Sequence, residues 1–285
     1  MKRPLLVLGA TGVIGRSVVE AAVEAAVPVI AVARDRVRLD ALRTSFPRAR
    51  IEVIANTLVD DVAGYRLGAA VRELDRPLAG VVAALCGTPG RGRLLDQPVT
   101  NLRNEIEDLL LPHLAAARHL LPLMAEQHRS GNYVLVGGPG SEAPWAGYGP
   151  RSVTAAALRM LALVLHDEAR SLGVRVQLLT SEAPACTSEN QSHACPRWPK
   201  VAEIGKRAMQ LAMRNEQGVG ARPVVPLQAH PIPLSTITAA RLAKSQRHDD
   251  RSTESQIRSR EQASLEDARS FLETLIPTNN NEASR

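Results

Sequence analysis

The sequence predicts an α/β domain: a doubly wound parallel sheet of about seven strands, flanked by helices. Three observations point there. Short apolar, β-branched runs alternate with longer stretches that carry Ala, Leu, Glu and Arg at three- and four-residue spacing. Apolar residues make up 45% of the chain, yet it holds only 2 Phe, 3 Tyr and 2 Trp, so Leu, Val, Ile and Ala must build the core, as suits a sheet buried on both faces. The length of 285 residues allows one large domain of this kind.

The elements follow in order. Strands are expected at Leu5–Leu8, Val27–Ala33, Ile51–Ala55, Leu78–Leu85, Tyr133–Val136, Val174–Leu179 and, more weakly patterned, Val224–Leu227. Helical stretches lie between them at 15–26, 36–46, 61–75, 100–128, 151–172 and 200–214. Repeated strand-helix-strand units imply parallel pairing, with ligands at the carboxyl ends of the strands. The domain is expected over 1–235. A polar tail, 236–285, is rich in Arg, Ser, Gln, Asp and Glu over 240–263 and expected to be partly disordered. A short helix near 264–276 is expected within it, with Ser264 as N-cap and Phe271, Leu272, Leu275 and Ile276 as an apolar stripe.

The strongest motif is Gly9-Ala10-Thr11-Gly12-Val13-Ile14-Gly15, directly after the first strand and opening an Ala-rich helix. In that context the spacing is a Rossmann-type dinucleotide loop. Gly9 serves the tight turn, Gly12 lets the backbone approach a pyrophosphate, and Gly15 lets helix and sheet pack closely. Thr11, Val13 and Ile14 complete the loop, and the N–H groups of the first helical turn favour an anion. The second strand runs into Ala33-Arg34-Asp35. A guanidinium at Arg34 pairs with a 2′-phosphate, and Arg36 and Arg38 add positive field, which predicts NADP. Asp35, about 20 residues beyond the glycines, speaks for NAD.

Composition excludes several classes. The formal net charge of +6 comes from scattered arginines without a basic block or aromatic interleaving, so no nucleic-acid partner is expected. Cys86, Cys186 and Cys195 are too few for a disulfide scaffold and read as reduced thiols in the cytoplasm. No apolar run approaches the roughly 20 residues of a membrane span. Cys186, His193 and Cys195 match no four-ligand metal spacing, so no metal is expected. His113, His119 and His128 on one helix read as surface or partly buried groups.

Over residues 3–230 the chain resembles the short-chain dehydrogenase/reductase family. The glycine loop carries the resemblance first. Gly87 in Ala84-Leu85-Cys86-Gly87, the helix ending Leu120-Leu121-Pro122-Leu123-Met124, and the strand Gly131-Asn132-Tyr133-Val134-Leu135-Val136 are similar to further family segments. The resemblance implies that Gly87 flanks the cofactor and that Thr187 touches the nicotinamide amide. It also implies a Ser-Tyr-Lys catalytic set supported by an asparagine. Those four positions fall here on Gly138, Arg151, Ala155 and Leu109. A shifted register brings Tyr148 to the tyrosine position, with Arg151 as neighbouring cation and Ser141 as hydroxyl. The loop from Ser181 to Pro199 is expected to cover the substrate or to be a plain surface insertion.

The leading reading is an atypical NADP-dependent oxidoreductase acting on a carbonyl or alcohol, with a small-molecule substrate and a dimeric or tetrameric homo-oligomer. Two alternatives stay open: a non-catalytic NAD(P)-binding sensor or assembly protein, and a nucleotide-using enzyme of non-redox type.

Overall fold

The computed structural model describes residues 2–87, 90–127, 131–214 and 222–227. The expected tail helix near 264–276, and His128, lie outside the described residues. Seven strands, β1 (Leu5–Leu8), β2 (Val29–Ala33), β3 (Ile51–Ala55), β4 (Gly80–Ala83), β5 (Asn132–Val136), β6 (Arg175–Thr180) and β7 (Val224–Pro226), form one sheet. Their order is β3-β2-β1-β4-β5-β6-β7, and every pair is parallel. The chain runs outward from β1 to β3 on one side, then crosses back to β4 on the other. That reversal is a topological switch point. It opens a crevice beyond the carboxyl ends of β1 and β4.

The helices are α1 (Val13–Glu24), α2 (Arg36–Ser45), α3 (Asp61–Glu73), α4 (Val99–Leu109), α5 (Leu111–Glu126), α6 (Gly149–Glu168) and α7 (Val201–Ala212). Alternate side chains of one strand serve opposite faces. Leu5 and Val7 pack with Val18, Leu39, Ile204 and Leu211 from α1, α2 and α7. Leu6 and Leu8 pack with Leu67, Leu120 and Leu158 from α3, α5 and α6. Because both faces are covered, the strands read as continuous apolar runs.

Local chemistry places the ends. Asp35 caps α2 by accepting from the Arg38 backbone N–H, and Asp60 caps α3 by accepting from that of Ala63. The long helix expected over 100–128 is instead two helices, broken at Leu110. Pro112 has no N–H to give the Asp108 carbonyl and its ring crowds that turn, so the backbone restarts. Asn132, buried in β5, donates through Nδ2 to the Leu211 and Arg214 carbonyls at 2.7 and 2.8 Å. It thereby satisfies carbonyls that the end of α7 leaves open. On the other end of that helix the Ser17 hydroxyl of α1 donates to the Val201 carbonyl at 2.8 Å.

Candidate active site

The site begins at the turn out of β1. Gly9 has φ of +74°, and a Cβ there would lie 2.3 Å from the Ala84 carbonyl oxygen at the end of β4. At Gly15 a Cβ would lie 2.0 Å from the Gly9 carbonyl oxygen. Any side chain at either place would push β1, β4 and α1 apart. Helix α1 starts at Gly12 without a side-chain cap and without an acidic residue in its first turn. Its first N–H groups are therefore left for an anion.

Gly9, Thr11 and Gly12 line a cleft of about 620 Å³ over the carboxyl ends of β1, β2 and β4. Ala33, Arg34, Asp35 and Arg38 line one end of it, and Ala84, Leu85, Cys86 and Gly87 line another part. The three charged groups after β2 are not equivalent. The Asp35 carboxylate accepts from the Arg38 backbone N–H at 3.1 Å as the cap of α2. Arg38 Nη2 donates to the Thr11 carbonyl at 2.8 Å, tying α2 to the glycine loop. Arg36, also counted from sequence as positive field, is paired with Asp40 at 2.9 Å. Size, glycine cradle and uncapped helix together fit an elongated ligand with a phosphate-bearing middle.

Cys86 also lines a smaller inner pocket, of about 130 Å³, beyond the ends of β5 and β6. Its walls are largely apolar: Ile14, Val136, Leu179, Ala185, Ile204 and Leu227. The polar side chains lining it are Cys86, Arg151, Thr180 and Ser181. Arg151 comes from the first turn of α6, and its Nη2 lies 3.9 Å from where a Cβ on Gly138 would stand. The guanidinium therefore lies in ordinary van der Waals reach of position 138. Leu109 occupies the neighbouring volume, its Cδ2 2.8 Å from a Cβ built on Gly87. Ala155 is buried against the same region.

The remaining residues expected from sequence are placed as follows. Ile14 lines the inner pocket, while Val13 is exposed. Tyr148 is the N-cap residue of α6. Its ring stacks on Trp145 at 3.9 Å between centroids, with the Arg91 guanidinium 6.0 Å above it. The Ser141 hydroxyl donates to Glu182 at 3.4 Å. Neither Tyr148 nor Ser141 is among the residues lining the two cavities, whereas Arg151 is. Thr187 is engaged with Asn190: its N–H donates to Oδ1 at 2.7 Å, and its Oγ1 accepts from the Asn190 N–H at 3.3 Å. From the loop expected over 181–199, Ser181, Ala183 and Ala185 reach the inner pocket.

Two site residues escaped the sequence reading. Thr180, at the end of β6, is 2% exposed, and its Oγ1 has no hydrogen-bond partner. It looks like one more strand residue until the pocket wall is seen. His113, expected at the surface or partly buried, is completely buried, and neither ring nitrogen makes a hydrogen bond. Burial lowers its pKa to about 4, with the Leu85 backbone pulling upward and the Arg151 guanidinium adding to the fall. The break before Pro112 is what turns this histidine inward. Among the described residues no helix is long and apolar enough to cross a membrane, and no group of three His, Cys, Asp or Glu side chains is placed to hold a metal.

Solved structures of the same fold include an NADP complex of RhlG from Pseudomonas aeruginosa, with TM-score 0.69 and 20% identity over 79% of this chain and 94% of that one. An NADPH-bound short chain oxidoreductase from Pseudomonas aeruginosa PAO1, described as containing an atypical catalytic center, has TM-score 0.68 and 19% identity over 80% and 98%. A short-chain dehydrogenase from Streptomyces avermitilis has TM-score 0.65 and 23% identity over 87% and 98%. At these identities the likeness is one of fold. Among curated proteins none matches this chain in sequence. The family description "short chain dehydrogenase" matches residues 3–193, from β1 through the loop after β6. With the glycine loop, the switch-point cleft and the seven-stranded parallel sheet in place, the chain belongs to the short-chain dehydrogenase family.

Proposed function

We propose that this chain is an NADP-dependent oxidoreductase acting on a small carbonyl or alcohol, with Arg151 standing where the family's tyrosine is expected. The carrying observation is the Arg151 guanidinium in the inner pocket beside Gly138, together with the absence of tyrosine and lysine from that pocket's lining. Gly9, Thr11, Gly12, Ile14, Gly15 and Gly87 would hold the cofactor, with Val13 contributing backbone and Thr187 a further contact. When bound and reduced, the cofactor supplies a hydride to a carbonyl carbon.

The chain's own residues supply position and charge. Arg34 and Arg38 both line the cleft beyond β2, beside a single carboxylate, Asp35, whose Oδ1 caps α2. Two guanidinium groups suit a 2′-phosphate and outweigh the one carboxylate. That supports NADP over NAD. As a guanidinium, Arg151 offers only donor N–H groups and acts by electrostatics. It stabilises the negative charge that gathers on the carbonyl oxygen as the carbon is reduced. Water then protonates that oxygen to the alcohol. Tyr148 and Ser141, the hydroxyl groups expected from sequence, line neither cavity, and a Tyr148→Phe, Ser141→Ala double variant that keeps turnover would remove them from the reaction.

The test has two stages. NADPH should bind more tightly than NADH by calorimetry, and Arg34→Ala should weaken NADPH about tenfold while leaving NADH unchanged, as loss of a charge-assisted phosphate contact requires. Oxidation of NADPH should then be followed at its absorbance band with small aldehydes, ketones and oxo acids, and Arg151→Met should abolish it. Equal affinity for the two cofactors would refute the phosphate assignment. The same missing tyrosine and lysine favour a second reading, a dinucleotide-binding sensor without turnover. Tight NADPH binding with no oxidation across the panel would select it.

A further inference from the structure

The inner pocket holds two polar groups without partners. Arg151 makes neither an ion pair nor a side-chain hydrogen bond among the described residues, whereas three arginines on the surrounding helices do. Arg72 of α3 reaches Glu126, Arg118 of α5 reaches Asp61, and Arg159, two turns along α6 itself, reaches Glu142. No Asp or Glu lines the pocket, and its walls are aliphatic. The Thr180 hydroxyl is buried at 2% exposure and equally unpartnered. A half-buried guanidinium against apolar walls carries a standing desolvation cost unless an anion arrives. His113 adds no second charge, since burial keeps its imidazole neutral at pH 7.

We propose that this pocket takes substrates bearing a carboxylate next to the reacting carbon, that is, small 2-oxo acids and the corresponding 2-hydroxy acids. The inference rests on the reading of the pocket as the reaction site. A guanidinium presents parallel N–H groups in a planar fork, which match two coplanar oxygens. A 2-oxo acid offers such a pair, one oxygen from the carboxylate and one from the carbonyl. One arginine then neutralises the fixed charge and also receives the charge that develops. Thr180 Oγ1, a donor and acceptor in the same wall, meets the second carboxylate oxygen. A volume of about 130 Å³ is below the range of pockets for drug-sized ligands, so the substrate's side chain is a few carbons at most.

The experiment is a binding titration on the full chain. NADPH is titrated first, which tests the cofactor reading by itself. Oxamate, a stable mimic of a 2-oxo acid, and its uncharged methyl ester are then titrated calorimetrically into the protein saturated with NADPH. Oxamate should bind, and the ester should bind at least about tenfold more weakly. Arg151→Met should weaken oxamate about thirtyfold or more without altering NADPH affinity, Arg151→Lys should recover part of the loss, and Thr180→Val should weaken oxamate severalfold. Unchanged NADPH affinity also certifies that each variant is folded. Equal binding of oxamate and ester, or oxamate binding indifferent to Arg151→Met, overturns the inference and leaves the oxidoreductase reading standing. If Arg151→Met weakens NADPH instead, the guanidinium serves the cofactor and the inference falls. If NADPH does not bind at all, both readings fall together.

Discussion

Arg151 and His113 show how much depends on single side chains. Helix α6 opens with Tyr148 as N-cap, and three residues later Arg151 turns into the pocket while Tyr148 stacks outward on Trp145. Tyr148 is the N-cap residue, with non-helical φ of −134° and ψ of 52°, so the three-residue spacing that would place two helical side chains on one face does not hold for this pair. His113 leads to a pH prediction. Its pKa in the folded chain is about 4, against 6.5 unperturbed. Between these values the unfolded chain binds more protons than the folded one, so stability rises with pH there. The contribution is fully present above pH 6.5 and is lost as pH falls towards 4, amounting to about 3 kcal/mol. Urea titrations from pH 7.5 to pH 4 should show that loss, and His113→Leu should flatten it while changing stability little at pH 7.5. The imidazole makes no well-formed hydrogen bond and has only a weak contact with the Leu85 backbone, so its removal sacrifices little. An acid limb of unchanged slope in the variant would place the titrating group elsewhere.

At the level of elements, the closest packing is helix on helix. Gly205 of α7 rests against Ser17 of α1, and a Cβ there would lie 2.2 Å from the Ser17 hydroxyl and 2.5 Å from its backbone carbonyl carbon. Backbone cannot yield as the end of a flexible side chain can, so Gly205→Ala must force α7 away from α1. The expected cost is about 1–3 kcal/mol, in the range of overpacked cores. It should appear as a lowered thermal midpoint and as weakened NADPH binding, because Ile204 of α7 and Ile14 of α1 line the inner pocket together. A variant as stable as the parent would show that the two helices are looser than drawn. The split of the expected 100–128 helix is also an element-scale event. The signal was in the sequence as Pro112, and its consequence, an inward His113 above the pocket, was not, because a break reorients everything after it.

For the whole molecule, the net charge is +6, and surface arginines such as Arg16, Arg72 and Arg118 are each paired with a carboxylate. Arg151 differs from them in lining an aliphatic pocket that no Asp or Glu enters. Cofactor binding should register globally as well. A ligand that binds only the folded chain at 100 times its Kd adds about 2.7 kcal/mol of stability, here a rise in Tm of about 5–10 °C. Differential scanning should show that rise with NADPH and a smaller one with NADH at equal concentration. No rise with either would remove the dinucleotide from the account.

Much of the fold was legible because periodicity is local. The apolar runs at Leu5–Leu8 and Ile51–Ala55 are strands with those same limits, and the glycine loop lies directly between strand and helix. Such features depend on neighbours within a few residues, which one sequence contains. Strand order, the burial of His113 and the orphaned Thr180 hydroxyl depend on residues from separate elements, far beyond any local window, meeting in space. Asp35, which sequence sets at an NAD-type position, caps α2 through a local contact three residues away. Amino-acid order therefore determined the scaffold and the place for a dinucleotide. Tertiary structure alone decided which charges remain unspent in the pocket, since a group is free only when everything brought near it has been paired or excluded.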